Sequence, residues 1–354
     1  MVNIPGLALN GKGWEKQPSD PSDWIYTPPP GVVIKETAFK DLRESHRMGQ
    51  ALQQGSLGSC TAHAVVAAIQ YSKDAEGWGP RAAHYNASRL WIWYHAHILG
   101  QTDGVAPPVD ELYKVLYDAN GPKAITVALP QGGTKTVTRD QLLAAVKVNS
   151  GSWIKNAFKT VIKYGYCSED TWKYPPYDPN AREDPKDFHI APPGAFEEAK
   201  QFPALELSYW RIPDLFDSLS NNVVPSMEAA ISEGYAIVFG FDGSDNSAKL
   251  GSYWNAKIEK LETNVGLDQD FNWTEKVADG EKKVWGHAVL CVGFDRPKRR
   301  FLILNSWGKE FGKNGYFYMP YRMFEPATGT YVNKDGQTQP RAGDFWVVKS
   351  PRRG

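Results

Sequence analysis

One cysteine in the sequence lies where a thiol could be reactive. Cys60 follows the turn Gly58-Ser59, and the run CTAHAVVAAIQY that it opens predicts a buried helix beginning at or near this residue. Free N–H groups and the helix dipole at a helix start favour the thiolate over the thiol. Buried free cysteines are usually inert, however, so a catalytic role for Cys60 requires partners elsewhere in the chain.

Two polar side chains in the second half could be those partners. His287 opens the strand-like segment GHAVLCVGF, and Asn305 directly follows the segment FLIL. A cysteine nucleophile needs a neighbouring base, and that base needs a third group that fixes its tautomer and orientation. His63, three residues after Cys60, is a rival base. A side chain on the same helix as the thiol lacks such an orienting partner, which favours His287.

Three motifs in order make the pattern specific. The segments QGSLGSC, GHAVLCVGF and LNSWGKEFGKNGYFYMPY together resemble the papain family of cysteine peptidases, a much stronger signal than one short pattern. The segments GWEKQPSDPSDWIY and DFWVVK also resemble the ends of bacterial-type members of that family. The resemblance therefore runs, with gaps, over most of the chain and points to a bacterial-type or viral member.

The resemblance implies a role for each matching residue. Cys60 would be the nucleophile, His287 the acid and base, and Asn305 the residue that orients the imidazole. The side-chain amide of Gln54 and the backbone N–H of Cys60 would donate hydrogen bonds to the oxyanion, and such preorganised donors stabilise the transition state by several kcal/mol (about 3).

The resemblance also implies a set of substrate-binding residues. One group forms a wall that bonds the substrate backbone and a pocket for the residue two before the scissile bond, with an apolar preference. The other group contains a tryptophan that shields the bond between His287 and Asn305 and a second aromatic on the leaving-group side. The first group consists of Gly151, Ser152, Trp153 and Ala288, and the second consists of Trp307 and Phe311.

These residues predict a cysteine endopeptidase that hydrolyses peptide bonds through a thioester acyl-enzyme. A transamidase, deamidase or acyltransferase could use the same side chains, because only the second nucleophile differs. A silent peptide-binding scaffold is a further alternative, disfavoured by the retention of the four catalytic residue types. No HExxH, paired CxxC or P-loop motif occurs, and His95 and His97 diverge on a helix, so neither a metal nor a cofactor is expected.

Composition limits the partners of the protein. Lys and Arg number 40, as do Asp and Glu, so no global field attracts nucleic acid or an anionic membrane. No apolar run approaches the roughly 18 residues of a membrane span, and no signal peptide is visible at the start. With three cysteines, a reducing compartment such as the cytoplasm is expected, and delivery to a host or a virion stays open. We expect a monomer acting on a peptide or protein substrate.

The periodicity changes between the two halves of the chain. Helical patterns cover Cys60 to Tyr71, Ser88 to Leu99 and Trp153 to Tyr164, whereas short apolar runs bounded by Gly, Pro and Asp predict antiparallel strands after residue 235. An α+β fold is predicted, papain-like, with a helical lobe, a β-barrel-like lobe and a cleft between them. The expected divisions are 1–45 (an extended segment), 46–200 (the helical lobe, with an insertion at about 101–149) and 201–354 (the β-rich lobe).

The sequence departs from the family pattern in three respects. Leu57 stands where the family usually has a cysteine, so the disulfide of that cysteine is not expected. The separation between Cys60 and His287 exceeds that of compact relatives, which requires insertions. The segment before Cys60 is too short for the long helical inhibitory propeptide of many relatives, and the extended stretch around Pro28 to Pro30 is instead a candidate to occupy the cleft.

Overall fold

The helices precede most of the strands along the chain. The computed structural model describes residues 13–17, 20–45, 48–75, 86–176, 188–201, 207–215, 222–244, 284–332, 336 and 338–349. Within these residues the fold is α+β, with the helices concentrated before residue 202 and the main antiparallel sheet after residue 207. The predicted change of period along the chain is therefore confirmed.

Seven α-helices lie in the described residues: α1 (Cys60–Ala75), α2 (Arg89–Gln101), α3 (Val109–Tyr117), α4 (Arg139–Lys147), α5 (Ile154–Tyr164), α6 (Pro193–Gln201) and α7 (Val223–Ser232). Helices α1, α2 and α5 pack on one another and match the three predicted helices. Ser88 caps α2, because its side chain accepts a hydrogen bond from the Trp91 N–H. Helix α5 buries Ile154, Phe158 and Val161 on one face, as its sequence spacing requires.

The main sheet has seven strands, six of them in the order β4 (Ser208–Ile212), β11 (Ala342–Lys349), β5 (Ile237–Ser244), β6 (Val284–Asp295), β7 (Arg300–Leu304) and β8 (Tyr316–Pro320). The short strand β1 (Phe39–Asp41) also pairs with β6. All of these pairs are antiparallel. The pairing brings residues from both ends of the described chain to the same sheet.

Helix α1 packs directly against the sheet at strand β6. Apolar side chains of α1 such as Val65 and Ile69 are buried in the core that also contains Val289 and Leu290 of β6. Because helix and strand meet along this line, the N-terminus of α1 is close to the first half of β6. The fold thereby brings together two segments that are far apart in sequence.

The segment 101–149, expected to be an insertion, has secondary structure of its own. It contains α3, the antiparallel hairpin of β2 (Ala124–Ala128) and β3 (Thr134–Thr138), and α4. Leu142 and Val146 of α4 are fully buried in the main core, and α4 packs against α2. This part of the segment thus contributes to the core, because its apolar residues form one helix face.

Two further strands, β9 (Thr330–Val332) and β10 (Thr338–Pro340), form a separate small antiparallel sheet. None of the helices in the described residues combines the length and the apolar character that crossing a bilayer requires.

Candidate active site

The loop before α1 is bonded to the loop after β7. The Gln54 N–H donates to the Ser306 carbonyl at 2.8 Å, and the Gly308 N–H donates to the Leu52 carbonyl at 2.9 Å. Gly55 has a φ of 60°, which a residue with a side chain adopts less readily. These bonds hold Gln54 and the start of α1 next to the residues that follow β7.

His287 and Asn305 lie on neighbouring strands or just beyond them and are hydrogen-bonded to each other. His287 Nε2 is 2.7 Å from Asn305 Oδ1, and that same oxygen accepts the Ser306 backbone N–H at 2.8 Å. Because a backbone N–H can only donate, the shared atom must be the amide oxygen, and the hydrogen between the two side chains must belong to Nε2. The tautomer that results leaves Nδ1 as the basic nitrogen of His287.

Gln54 joins the same network through Ser306. The Ser306 hydroxyl donates to Gln54 Oε1 at 2.5 Å, and Gln54 Nε2 donates to the Leu57 carbonyl at 3.0 Å. The side-chain amide of Gln54 is therefore fixed in orientation, with its NH₂ group towards the turn before Cys60. One of the two amide hydrogens is used by Leu57, and the other can serve a different acceptor.

The thiol of Cys60 lies at the first residue of α1 and is fully buried. Its sulfur accepts the Ala288 N–H at 3.3 Å, so Cys60 meets β6 at the residue directly after His287. The thiol in turn donates to the Gly13 carbonyl oxygen at 2.8 Å. Cys60 is thus held between the sheet on one side and the beginning of the described chain on the other.

Residues 13–17, which we call the strap, cover the thiol. The backbone N–H groups of Gly13 and Trp14 both donate to the Gly286 carbonyl, at 3.0 and 3.1 Å, and Trp14 forms a parallel bridge with Ser152. A β-carbon added to Gly13 would lie 3.0 Å from the Cys60 sulfur, so the contact tolerates little more than glycine. The segment that reaches the cleft is therefore the strap and not Pro28 to Pro30, which are partly exposed.

Burial by this cover changes the acid–base properties of the two groups. It raises the pKa of the Cys60 thiol to about 11, although the Ala288 N–H acts in the opposite direction. It lowers the pKa of His287 to about 4, although the bond to Asn305 opposes the shift. With the strap in place, Cys60 is a neutral thiol and His287 a neutral imidazole at pH 7. The helix start alone predicts a thiolate, and the loss of water around the sulfur outweighs that effect.

The remaining predicted residues lie on two sides of Cys60. Ser152 pairs with the strap and is flanked by Gly151, which is buried, and Trp153, which is half-buried. On the other side, the Trp307 ring lies 4.9 Å from the His287 ring and contacts Phe311 edge-on at 5.0 Å. Both groups thus adjoin the three residues Cys60, His287 and Asn305.

The rival base His63 is occupied elsewhere. Its Nδ1 bonds the Ser59 carbonyl at 2.9 Å, and its Nε2 is 3.2 Å from the Arg89 guanidinium, which can only donate. Burial and the charge of Arg89 lower the pKa of His63 well below its usual value. His63 therefore lacks a nitrogen with which to take a proton from Cys60.

His95 and His97 each bond a backbone carbonyl of their own helix, those of Trp91 and Trp93. Within the described residues no three groups of the metal-binding types His, Cys, Asp and Glu lie together.

Sequence reasoning missed several residues that shape the site. Gly13 and Trp14 of the strap, Ser306 beside Gln54, and Asp344 of β11 were given no role. Asp344 accepts hydrogen bonds from the Trp14 indole at 3.1 Å and from the Gln17 N–H at 2.8 Å. The resemblance had marked both GWEKQPSDPSDWIY and DFWVVK, but neither segment carries a signal that they contact each other.

Known proteins are similar to this chain in sequence and in fold. The Peptidase C1-like family matches residues 215–334. A peptidase C1-like protein of Acanthamoeba polyphaga mimivirus is 28% identical over 313 residues, which are 87% of this chain and 73% of that protein. The crystal structure of xylellain, a cysteine protease from Xylella fastidiosa, superimposes with a TM-score of 0.57 and 25% identity, over 99% of this chain and 100% of that chain.

The chain is similar to papain-like cysteine peptidases in sequence and in fold. It is therefore an enzyme of the hydrolase class with peptides or proteins as substrates. Aminopeptidase G of Lactobacillus delbrueckii subsp. lactis is 30% identical over 100 residues, which are 27% of this peptidase but 23% of that protein. The peptidase thus spans less than a quarter of that relative.

Proposed function

We propose that the protein is an endopeptidase in which Cys60, His287 and Asn305 form the catalytic triad and Gln54 contributes to the oxyanion hole. The observation that carries the proposal is the chain of contacts from Asn305 to the thiol. Asn305 Oδ1 fixes the tautomer of His287, and the residue after His287 touches the Cys60 sulfur. A base with a fixed tautomer beside a nucleophile at a helix start is the arrangement that acyl transfer needs.

The reaction follows from the protonation states. His287 Nδ1 takes the proton of the Cys60 thiol, and the sulfur attacks the carbonyl carbon of the substrate. The oxyanion accepts the free amide hydrogen of Gln54 and the Cys60 backbone N–H. The carbon–nitrogen bond then breaks, and the imidazolium of His287 gives its proton to the leaving amine. Water deprotonated by His287 attacks the thioester, and the thiol is restored as the new carboxyl group leaves.

The strap keeps this site latent in the proposal. The Gly13 carbonyl accepts a hydrogen bond from the thiol through its oxygen, so its carbon is not presented for attack by a thiolate. Within the described residues, the Gln54 side-chain amide donates to the Leu57 carbonyl and not to the Gly13 carbonyl oxygen. Peptide cleavage then requires displacement of the strap, after which water reaches the sulfur and its pKa falls.

The test compares full-length Trp14→Ala protein with the matched Trp14→Ala, Cys60→Ala variant on a peptide library in water enriched in ¹⁸O. Hydrolysis gives new carboxyl termini that carry ¹⁸O, and only when Cys60 is present. Ligated or transamidated products would instead identify acyl transfer as the reaction. Products formed equally by both variants would overturn the assignment of Cys60.

A further inference from the structure

The hydroxyl group of Tyr174 joins the two ends of the turn that precedes α1. It lies 2.7 Å from the Gln54 carbonyl oxygen and 2.6 Å from the Ser59 hydroxyl. Because a carbonyl can only accept, Tyr174 donates its hydrogen to Gln54, and the hydrogen between the two hydroxyl groups comes from Ser59. Ser59 directly precedes Cys60. The two oxyanion donors of the proposed mechanism, the Gln54 amide and the Cys60 N–H, are thus attached to the ends of the turn that this hydroxyl connects.

A buried ion pair holds Tyr174 in place. Glu169 Oε1 accepts the Tyr174 backbone N–H at 2.8 Å and a hydrogen of Arg89 Nη2 at 2.6 Å. Glu169 Oε2 accepts the Arg89 Nε–H at 3.3 Å and the Arg89 backbone N–H at 3.2 Å. The guanidinium also lies over the Tyr174 ring, 4.3 Å from its centroid, in a cation–π contact. The tyrosine is therefore fixed at its ring face as well as at its backbone.

These polar groups are costly to bury. The Tyr174 side chain is 6% exposed, and the side chains of Arg89 and Glu169 are 12% and 9% exposed. A buried ion pair adds little stability compared with apolar residues of the same size, because both charges lose their hydration. A polar network in which the bonds are made does, however, hold its members in one geometry. The network therefore indicates a requirement for geometry, and the group that it holds is the Tyr174 hydroxyl.

We propose that Tyr174 is a positioning residue of the peptidase and that its hydroxyl sets the distance between the Gln54 amide and the Cys60 N–H. The inference rests on the proposed function and adds to it a residue that acts through others. Oxyanion stabilisation needs donors that already point at the developing charge, and a misplacement of about 1 Å can lower a rate by about 10²-fold. Without the Tyr174 hydroxyl, Gln54 keeps its bond to Ser306, so the expected loss is smaller than that of the Gln54 donor itself.

The first test removes this hydroxyl and keeps the ring. Tyr174→Phe is made in full-length Trp14→Ala protein, and kcat and KM are measured on a fluorogenic peptide. We expect kcat to fall about tenfold with KM unchanged, because the donors act in the transition state. The matched control is Tyr71→Phe, which removes a buried hydroxyl that donates to the Gly234 carbonyl at 2.9 Å, about three turns further along α1. Equal changes in the two variants, or a change in KM alone, would overturn the assignment of Tyr174.

The second test shows whether the effect passes through the Gln54 donor. Added to Trp14→Ala, Gln54→Ala protein, Tyr174→Phe should lower kcat by less than about threefold, because the donor that it positions is already gone. Alkylation of Cys60 by iodoacetamide needs no oxyanion hole, so its rate in Trp14→Ala protein should change by less than about twofold on adding Tyr174→Phe. A loss of kcat of about tenfold without Gln54, or a fall in alkylation that accounts for the loss of kcat, would contradict the proposal.

Ser59→Ala provides an independent variant if Tyr174→Phe does not fold, since it breaks the same connection from the other side. In Trp14→Ala protein we expect it to lower kcat about fivefold. An unchanged kcat in folded Ser59→Ala protein would overturn the positioning role.

The two proposals fail in different ways. If Trp14→Ala protein cleaves the peptide only when Cys60 is present and Tyr174→Phe leaves kcat unchanged, Tyr174 has no positioning role and the peptidase mechanism stands. If cleavage does not depend on Cys60, both proposals are wrong.

Discussion

Two polar networks meet at Cys60, and they differ in how completely they are bonded. On one side, Gln54, Ser306, Asn305 and His287 are connected by hydrogen bonds between loops and strands of the folded core. On the other side, the strap reaches Asp344 through two donors and leaves one carboxylate oxygen unbonded. The first network does not involve the strap, whereas both donors of the second belong to the strap. The difference separates the groups that would perform the reaction from those that hold the strap over the thiol.

Substitutions in the proposed catalytic network should have the largest effect on activity. His287→Ala in the Trp14→Ala background should lower kcat/KM at least about 10⁴-fold, because the thiol loses its base. The measurement is hydrolysis of a fluorogenic peptide, with Cys60→Ala as the background rate. His63→Ala is the matched control, since His63 is bonded to Ser59 and Arg89. A larger loss in His63→Ala than in His287→Ala would reverse the assignment of the base.

Loss of the strap contact in Trp14→Ala protein should raise the alkylation rate of Cys60 by about 10²-fold or more at pH 7. In the wild type, alkylation of Cys60 should increase with each pH unit towards its pKa of about 11. In Trp14→Ala protein the rate should already be high near neutral pH, because water and an accessible His287 then stabilise the thiolate. The rates are followed by mass spectrometry of the Cys60 peptide between pH 5 and 10. Superimposable profiles would show that the strap does not determine the pKa of the thiol.

The oxyanion contact should have an intermediate effect. Gln54→Ala in the Trp14→Ala background should reduce kcat about 10²-fold with little change in KM, since the lost donor acts in the transition state. Ser306→Ala leaves the Gln54 amide in place but removes the hydroxyl that orients it, so a reduction of about tenfold is expected. An equal loss in both variants, accompanied by a fall in melting temperature, would point to a structural role for this contact.

Asp344 should make stability depend on pH. Burial raises its pKa to about 7 from the usual 3.8, so the folded protein retains a proton that the unfolded chain releases between these values. Its contribution is present below pH 4 and is lost as the pH rises towards 7 and beyond. Compared with Asp344→Asn, the wild type should lose about 4 kcal/mol of unfolding free energy between pH 4 and 8, measured by urea denaturation. A constant difference between the two proteins would contradict the raised pKa.

The two networks also differ in how far the sequence predicts them. Cys60 lies at a helix start, His287 lies on a strand and Asn305 directly follows one, and each belongs to a recognisable motif. Their proximity follows from the packing of α1 on β6. The helical patterns and the short apolar runs therefore predict the fold class and most of the elements around the site.

The contact between the strap and Asp344 has no such signal. Trp14 and Asp344 are 330 residues apart, and Asp344 reaches the pocket because β11 has a bulge, which the pattern DFWVV does not reveal. For that reason the pocket beside Ser152 was expected to be apolar, and this carboxylate was not anticipated. The raised pKa of Cys60 was also missed, since it depends on burial by a segment that local sequence assigns to an extended surface stretch.

The attachment of the strap has a consequence for inhibition. The chain just after it is fixed to the body of the protein, where Lys155 pairs with Asp20 at 2.5 Å and the Tyr26 N–H bonds the Arg211 carbonyl at 2.8 Å. A ligand tethered this closely has an effective concentration in the millimolar range, about 1 mM or more, whatever the amount of protein in solution. Dilution therefore does not open the cleft, and a peptide at micromolar concentration competes poorly unless it binds far more tightly than residues 13–17.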